Sequence, residues 1–273
     1  PYVLTGGIEI GFAHTSFKWR NNAAANAAVI CVIVGLRNQS REPKLLFDGR
    51  HETQAENISA YLIDGPSIFV EAESRSIFNL PYMEYGNKPT DGGHLILNPE
   101  ERDDLLDNYP ESAPYIRRFM GSDEVVKGKL RYCLWVTDGD AESASRIPPL
   151  KARFDAVSAF RSKSKAAQTR PAAAYPHRFR QAQNFAKHHA ILIPSVTSER
   201  RPYLPFERVG ADTIASNLNF ALYDAPDWCM TLIASRLHLV WIGTVCGKLK
   251  SDFRYSNTLG WNTFPVPKFT DAQ

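Results

Sequence analysis

The residues best suited to hydrogen-bonding chemistry lie in the run SERRPY, Ser198 to Tyr203. A glutamate can accept from a cytosine amino group, and an arginine can hold guanine through two parallel bonds. Glu199, Arg200 and Arg201 therefore have the types needed to read base edges, with Tyr203 as an aromatic neighbour. A Glu–Arg surface pair holding a loop is the competing reading. Arg236, Lys248, Lys250 and Arg254, followed by Tyr255 and Ser256, mix cations, hydroxyls and an aromatic in a way that suits phosphate contact. Cations near a helix C-terminus are also expected from the helix dipole alone. Phe17 and Trp19 lie in TSFKWRNNAAANA, which reads as a polar loop between two strands. An exposed aromatic there can stack on an unpaired base, and hairpin packing explains it equally well.

Charge gives these groups a common setting. Between Arg146 and Arg208 the chain has thirteen Lys/Arg and three Asp/Glu, a surplus of ten in a protein whose net charge is only +3. Residues 38–145 have eleven basic and twenty acidic residues, a deficit of nine. Within the basic segment Arg161, Lys163, Lys165, Arg170 and Arg178 are further candidates for phosphate contact. Positive charge concentrated this way points to a polyanion, bound with steep salt dependence. Pairing of the basic segment with the acidic one is the alternative.

Several chemistries lack their motifs. The sequence has no G-x-G-x-x-G, Walker A or G-x-S-x-G run. Ile147-Pro148-Pro149-Leu150 lacks the preceding polar residue and the following aromatic of an amino-methyltransferase site. The seven histidines have no metal spacing, and Cys31, Cys133, Cys229 and Cys246 are scattered among apolar neighbours. Free thiols in a reducing compartment, the cytoplasm, are expected, with neither metal nor disulfide framework. No apolar run is long enough to span a membrane, so no membrane partner is expected.

The elements that must position these residues read as mixed α/β (α+β). Ile8–His14 and the β-branched run Ala28–Leu36 are expected to pair as strands. Residues 37–57 read as a polar, mobile connection, and AYLI and SIFV between 58 and 70 as short strands. Asn98-Pro99-Glu100 opens a helix to about Asn108. Residues 114–120 read as a short basic helix and 131–136 as a strand. A basic helix over 150–164 carries Phe154, Val157 and Phe160 on one face, with Arg153 and Arg161 snorkelling beside it. Residues 190–194 and 203–206 read as strands, and 227–246 as helical. Two N-terminal strands cannot bury their own faces, so the chain reads as a piece of a longer polypeptide.

The run IEIGFAHTSFKWRNNAAANAAVICVIVGL resembles the last two strands of the methyltransferase domain of MmeI-like enzymes. RYCLWVTD, PSVTSERRPYLP, SRLHLVWIGTVCGKLKSDFRYSN and NTFPVP resemble further stretches of that family, in its order and over nearly the whole chain. These are single-chain restriction–modification enzymes that join a nuclease, an N6-adenine DNA methyltransferase and a target-recognition domain. The resemblance implies the truncated end of a methyltransferase sheet at 1–37. A target-recognition domain would occupy 38–208, and a helical C-terminal segment packing on it 209–273. Double-stranded DNA is the implied partner, together with upstream methyltransferase and nuclease regions. S-adenosylmethionine is the implied cofactor of the full-length enzyme, bound through motifs that this chain lacks, so the chain alone is expected to be inactive. Phe17 or Trp19 falls where related enzymes place an aromatic on the flipped base. A non-enzymatic nucleic-acid-binding accessory module is the alternative.

Overall fold

The computed structural model describes residue 4 and residues 6–19 and 29–266. Near the N-terminus, β1 (Ile8–Trp19), β2 (Val29–Asn38), β3 (Lys44–Asp48) and β4 (His51–Ala55) form a sheet in the order β2-β1-β3-β4. The expected pair is antiparallel, from Ile8 opposite Asn38 to Trp19 opposite Val29. Residues 37–57 are not simply a connection. Lys44–Asp48 lies parallel to β1, and Asp48-Gly49 turns it into β4. Gly49 has φ +60°, which a tight hairpin turn favours, so the Asp-Gly step was the usable signal.

The remaining elements run in chain order: β5 (Glu84–Tyr85), β6 (Ile96–Leu97), α1 (Pro99–Asn108), β7 (Ile116–Met120), α2 (Ser122–Lys127), β8 (Tyr132–Leu134), α3 (Ala141–Ser145) and α4 (Pro148–Ser162). Then come β9 (His189–Pro194), β10 (Val196–Thr197), β11 (Glu207–Gly210), β12 (Thr213–Ala215), β13 (Asn219–Tyr223), α5 (Trp228–Ala234), α6 (Arg236–Val245), β14 (Lys248–Leu249) and β15 (Asp252–Arg254). They make three small sheets, ordered β11-β9-β13-β5, β12-β7-β8-β6 and β10-β15-β14.

One core lies between the β9–β13 sheet and the pair α5–α6, around Ile191, Phe220, Leu222, Ile233, Ile242 and Trp261. A second packs α4 on the β7–β8 sheet through Leu97, Phe119, Leu134, Leu150, Phe154 and Val157. Each such side chain contributes about 1.5–3 kcal/mol on burial. Helix α1 has the expected bounds, and Asn98 and Glu101 close a capping box at its start.

Several local expectations fail for identifiable reasons. Residues 116–120 are the strand β7 because β8 and β12 pair with both of its edges, and that outweighs helix propensity. Among the described residues, 58–70 have no partner strand, only the bridge Ile58–Asp64. Pro202 and Pro205 lack amide donors, and the strand forms later, at Glu207–Gly210. Ser235 breaks the expected 227–246 helix by 61°, its hydroxyl accepting from the His238 amide to cap α6. Strand β11 crosses residue 208, and β12 and β13 join sheets on its N-terminal side, so the helical part begins only at Trp228.

Candidate nucleic-acid interface

Strand β15 joins two of the polar groups read from the sequence. It pairs with β10, placing Val196 opposite Arg254, and with β14, placing Lys248 opposite Phe253. Strand β10 leads straight into Ser198–Tyr203, while β14 and β15 carry Lys248, Lys250 and Arg254 around a turn in which Lys250 has φ +59°. Arg236, the first residue of α6, donates to the Pro202 carbonyl at 3.3 Å. Glu199, Arg200, Arg201, Tyr203, Arg236, Lys248, Lys250 and Arg254 thus belong to one cluster, and Tyr203 is 57% exposed. The Arg201 amide donates to the Ser198 carbonyl, so Glu199 and Arg200 are the centre of a turn rather than alternating residues of an extended segment. The nearest cation to the Glu199 carboxylate is Lys248, at 3.9 Å, so a loop clamp in this structure would run through a lysine.

Two members of the group are engaged within the fold. Tyr255 is buried, its hydroxyl 2.9 Å from His238 Nε2, and burial pushes its pKa well up. Burial lowers the His238 pKa to about 3, so the imidazole is neutral and the pair is a buried support for the β15 end. Ser256 caps the π-helical turn Asn257–Trp261 by accepting from the Leu259 amide.

The α4 group divides. Lys163, Lys165 and Arg170 are exposed. Arg178 is tied to Asp138 at 2.7 Å and lies over the Tyr175 ring at 4.4 Å. Asp138 also meets His177 at 2.8 Å, and that hydrogen bond is the main cause holding its carboxyl below the usual range.

Arg161 is fully buried, not a surface cation. Its Nε donates to the Thr90 carbonyl, Nη1 to Ala172 and Tyr175, and Nη2 to Pro89 and Arg178, all at 2.8–3.0 Å. Burial lowers its pKa, yet arginine starts so high that it stays charged. Leu150, Phe154, Val157 and Arg161 form the buried stripe of α4, while Phe160 is 44% exposed. Their spacing of four, three and four residues was the signal that placed Arg161 inside and Phe160 outside.

Phe17 and Trp19 are on β1, not in a loop. The strand passes a register shift between His14 and Phe17 and then pairs Phe17 with Cys31 and Trp19 with Val29. Their rings are 6.3 Å apart, and Trp19 is 54% exposed.

Ion pairs account for part of the charge surplus. Of the thirteen cations, Arg153 meets Glu101, Arg178 meets Asp138, Arg146 meets Glu142, Lys151 meets Asp155 and Arg208 meets Asp227. Among the described residues, Lys163, Lys165, Arg170, Arg180, Lys187, Arg200 and Arg201 have no acidic partner within 4.0 Å. Exposed Lys88 and half-buried Arg180, which the sequence reading did not select, lie beside Arg161 on the same part of the molecule. Among the described residues no cluster of three or more His, Cys, Asp or Glu could hold a metal ion. No single helix there is long and apolar enough to cross a membrane.

Comparison with known proteins gives the architecture a context. Residues 64–268 match the family model of the MmeI target recognition domain, and residues 1–48 that of the MmeI DNA-methyltransferase domain. DNA methyltransferase A of Bacillus subtilis (strain 168) is 42% identical over 265 residues, which cover 97% of this chain and 30% of that protein. The solved structure of the Type IIL restriction-modification enzyme MmeI in complex with DNA matches with a TM-score of 0.90 and 35% identity, over 97% of this chain and 36% of that one. The chain thus spans about a third of the length of these relatives.

Proposed function

The chain belongs to the MmeI family, and from that premise we propose that its main body reads double-stranded DNA sequence for an S-adenosylmethionine-dependent methyltransferase. The single observation that carries this reading is the β10–β15–β14 sheet, which gathers Glu199, Arg200, Arg201, Tyr203, Arg236, Lys248, Lys250 and Arg254 into one cluster. Cations contact phosphates and fix the register, while Glu199 and Arg201 address base edges from the turn. Lys163, Lys165 and Arg170 add phosphate contacts. The methyl acceptor is adenine N6, and Phe17 or Trp19 packs on the flipped base. The cofactor and catalytic motifs, and any nuclease, belong to other parts of the full-length enzyme, which works in the cytoplasm. S-adenosylmethionine would supply the methyl group.

Duplex binding as a function of salt tests the proposal. If roughly six of the free cations meet phosphates, log K falls against log salt with a slope of roughly −5, at about −0.9 per phosphate. Replacing Lys163 and Lys165 by Ala weakens binding to all sequences alike. A flat salt response sinks the reading.

A further inference from the structure

Arg161 draws attention to the loop that it supports. All five of its N–H donors end on backbone carbonyls, two of them Pro89 and Thr90. Among the described residues no carboxylate is within ion-pairing distance of it. The Asp91 carboxylate is buried and turned inward, accepting from the Leu95 amide at 2.6 Å. A buried positive charge held by five carbonyl dipoles, and facing the field of the Asp91 carboxylate without an ion pair to it, therefore lies under residues 89–91.

The outer side of this loop has unused donors. Thr90, Gly92 and Gly93 have φ +48°, +68° and +90°, and a non-glycine residue with positive φ is itself uncommon. Among the described residues the amides of Gly92 and Gly93 meet no acceptor, and both glycines are exposed. Successive amides in such a conformation form a concavity for an anion, and glycine lets an anion approach the backbone closely. A Cβ on Gly92 would lie 2.9 Å from the Phe160 ring, so that position has room only for backbone. The flanking cations are fixed to the loop by the backbone. Lys88 and Gln181 exchange amide–carbonyl bonds at 2.9 and 3.1 Å, and the Arg180 amide donates to the Pro89 carbonyl at 3.1 Å. Among the described residues the Arg180 guanidinium donates only to the Gln168 carbonyl, from Nη2 at 3.2 Å and Nε at 3.4 Å, which leaves donors free.

We infer that the loop Lys88–Gly93 is a further phosphate-contacting element of the DNA interface, with Arg161 as its positioning residue. This inference rests on the DNA-reading proposal above. Lys88 supplies charge, and the Gly92 and Gly93 amides supply directed donors to one backbone phosphate.

Two measurements on the whole chain test it. In hydrogen exchange, a random-sequence duplex slows exchange of the 88–94 peptide at least several-fold. In salt titrations, Lys88→Ala lowers the slope of log K against log salt by about 0.9. Lys88 is exposed and holds its neighbour through backbone atoms alone, so the variant keeps its fold. Lys250→Ala serves as a reference on the other cluster. If either effect is missing while wild type binds duplex and Lys250→Ala weakens binding, the loop assignment is overturned and the DNA reading stands. If wild type binds no duplex, both fall. Equal protection by inorganic phosphate at matched ionic strength overturns the assignment to DNA, leaving a free-phosphate site.

Discussion

Replacing Arg161 by Met removes a buried charge of similar length and tests whether that residue holds the fold. Five carbonyls lose a donor. Pro89 and Ala172 keep a second one, from the Arg180 and Tyr175 amides. Among the described residues the Thr90, Tyr175 and Arg178 carbonyls keep none. Each acceptor left unpaired in a buried setting costs about 1–3 kcal/mol. Three of them, partly buried and so near the lower end, cost about 3–5 kcal/mol. Relief of the guanidinium's desolvation offsets some of this, and the methionine's apolar packing some more. A net loss of about 3 kcal/mol corresponds to a melting temperature lower by about 6–12 °C in a domain of this size. Arg161→Lys offers three donors to the same carbonyls and should recover about half. Thermal melts followed by circular dichroism read both variants. If Arg161→Met melts within about 2 °C of wild type, the carbonyl accounting is wrong and the guanidinium does not hold these segments.

Other expectations are as specific. In the full-length enzyme, Glu199→Lys combined with Arg201→Asp should change the preferred base at one position and keep the rate on the new site near normal. Equal loss on every sequence would assign these residues to a loop clamp, and cleavage or methylation profiling on a randomised site library decides. The chain alone should transfer no labelled methyl group to DNA, and calorimetry should find no micromolar binding of S-adenosylmethionine. Asp224 accepts from the Lys187, His188 and His189 amides, which lower its pKa to about 2. Because the folded value is depressed, its contribution is complete above the ordinary value near 3.8 and is lost as pH falls towards 2. Melting curves of wild type and Asp224→Asn should therefore differ at pH 6 and converge at about pH 2, and a constant gap would contradict the carboxylate's role.

Legibility in the sequence followed the range of the interaction. Helix α1 was readable to the residue because Asn98, Pro99 and Glu101 encode its start within one turn. The β1–β2 pair was readable from its apolar runs. The β3–β4 hairpin was missed although its Asp-Gly turn was in view, since its short strands depend on pairing with β1. Ile116–Met120 was misread because only β8 and β12, distant in sequence, make it a strand. The same holds for the candidate site. Residue types marked both the 198–203 and 248–254 groups, but only strand pairing across more than fifty residues places them together. Charge type alone could not separate Arg161 from Lys163, because one lies on the apolar stripe of α4 and the other does not.

Strand β2 has a practical meaning for anyone purifying this chain. It reads as a strand buried on both faces, yet Val29, Val32, Ile33, Val34 and Leu36 are each 40–54% exposed, and it is the edge of its sheet among the described residues. Such an edge offers a row of open backbone groups flanked by β-branched side chains, the arrangement that templates intermolecular strand pairing. Shelf life in solution should therefore be set by protein concentration, with light scattering rising before any loss of helix signal. A lysine at an outward position such as Val32 would keep stocks monodisperse while leaving the residues of the basic surfaces unchanged.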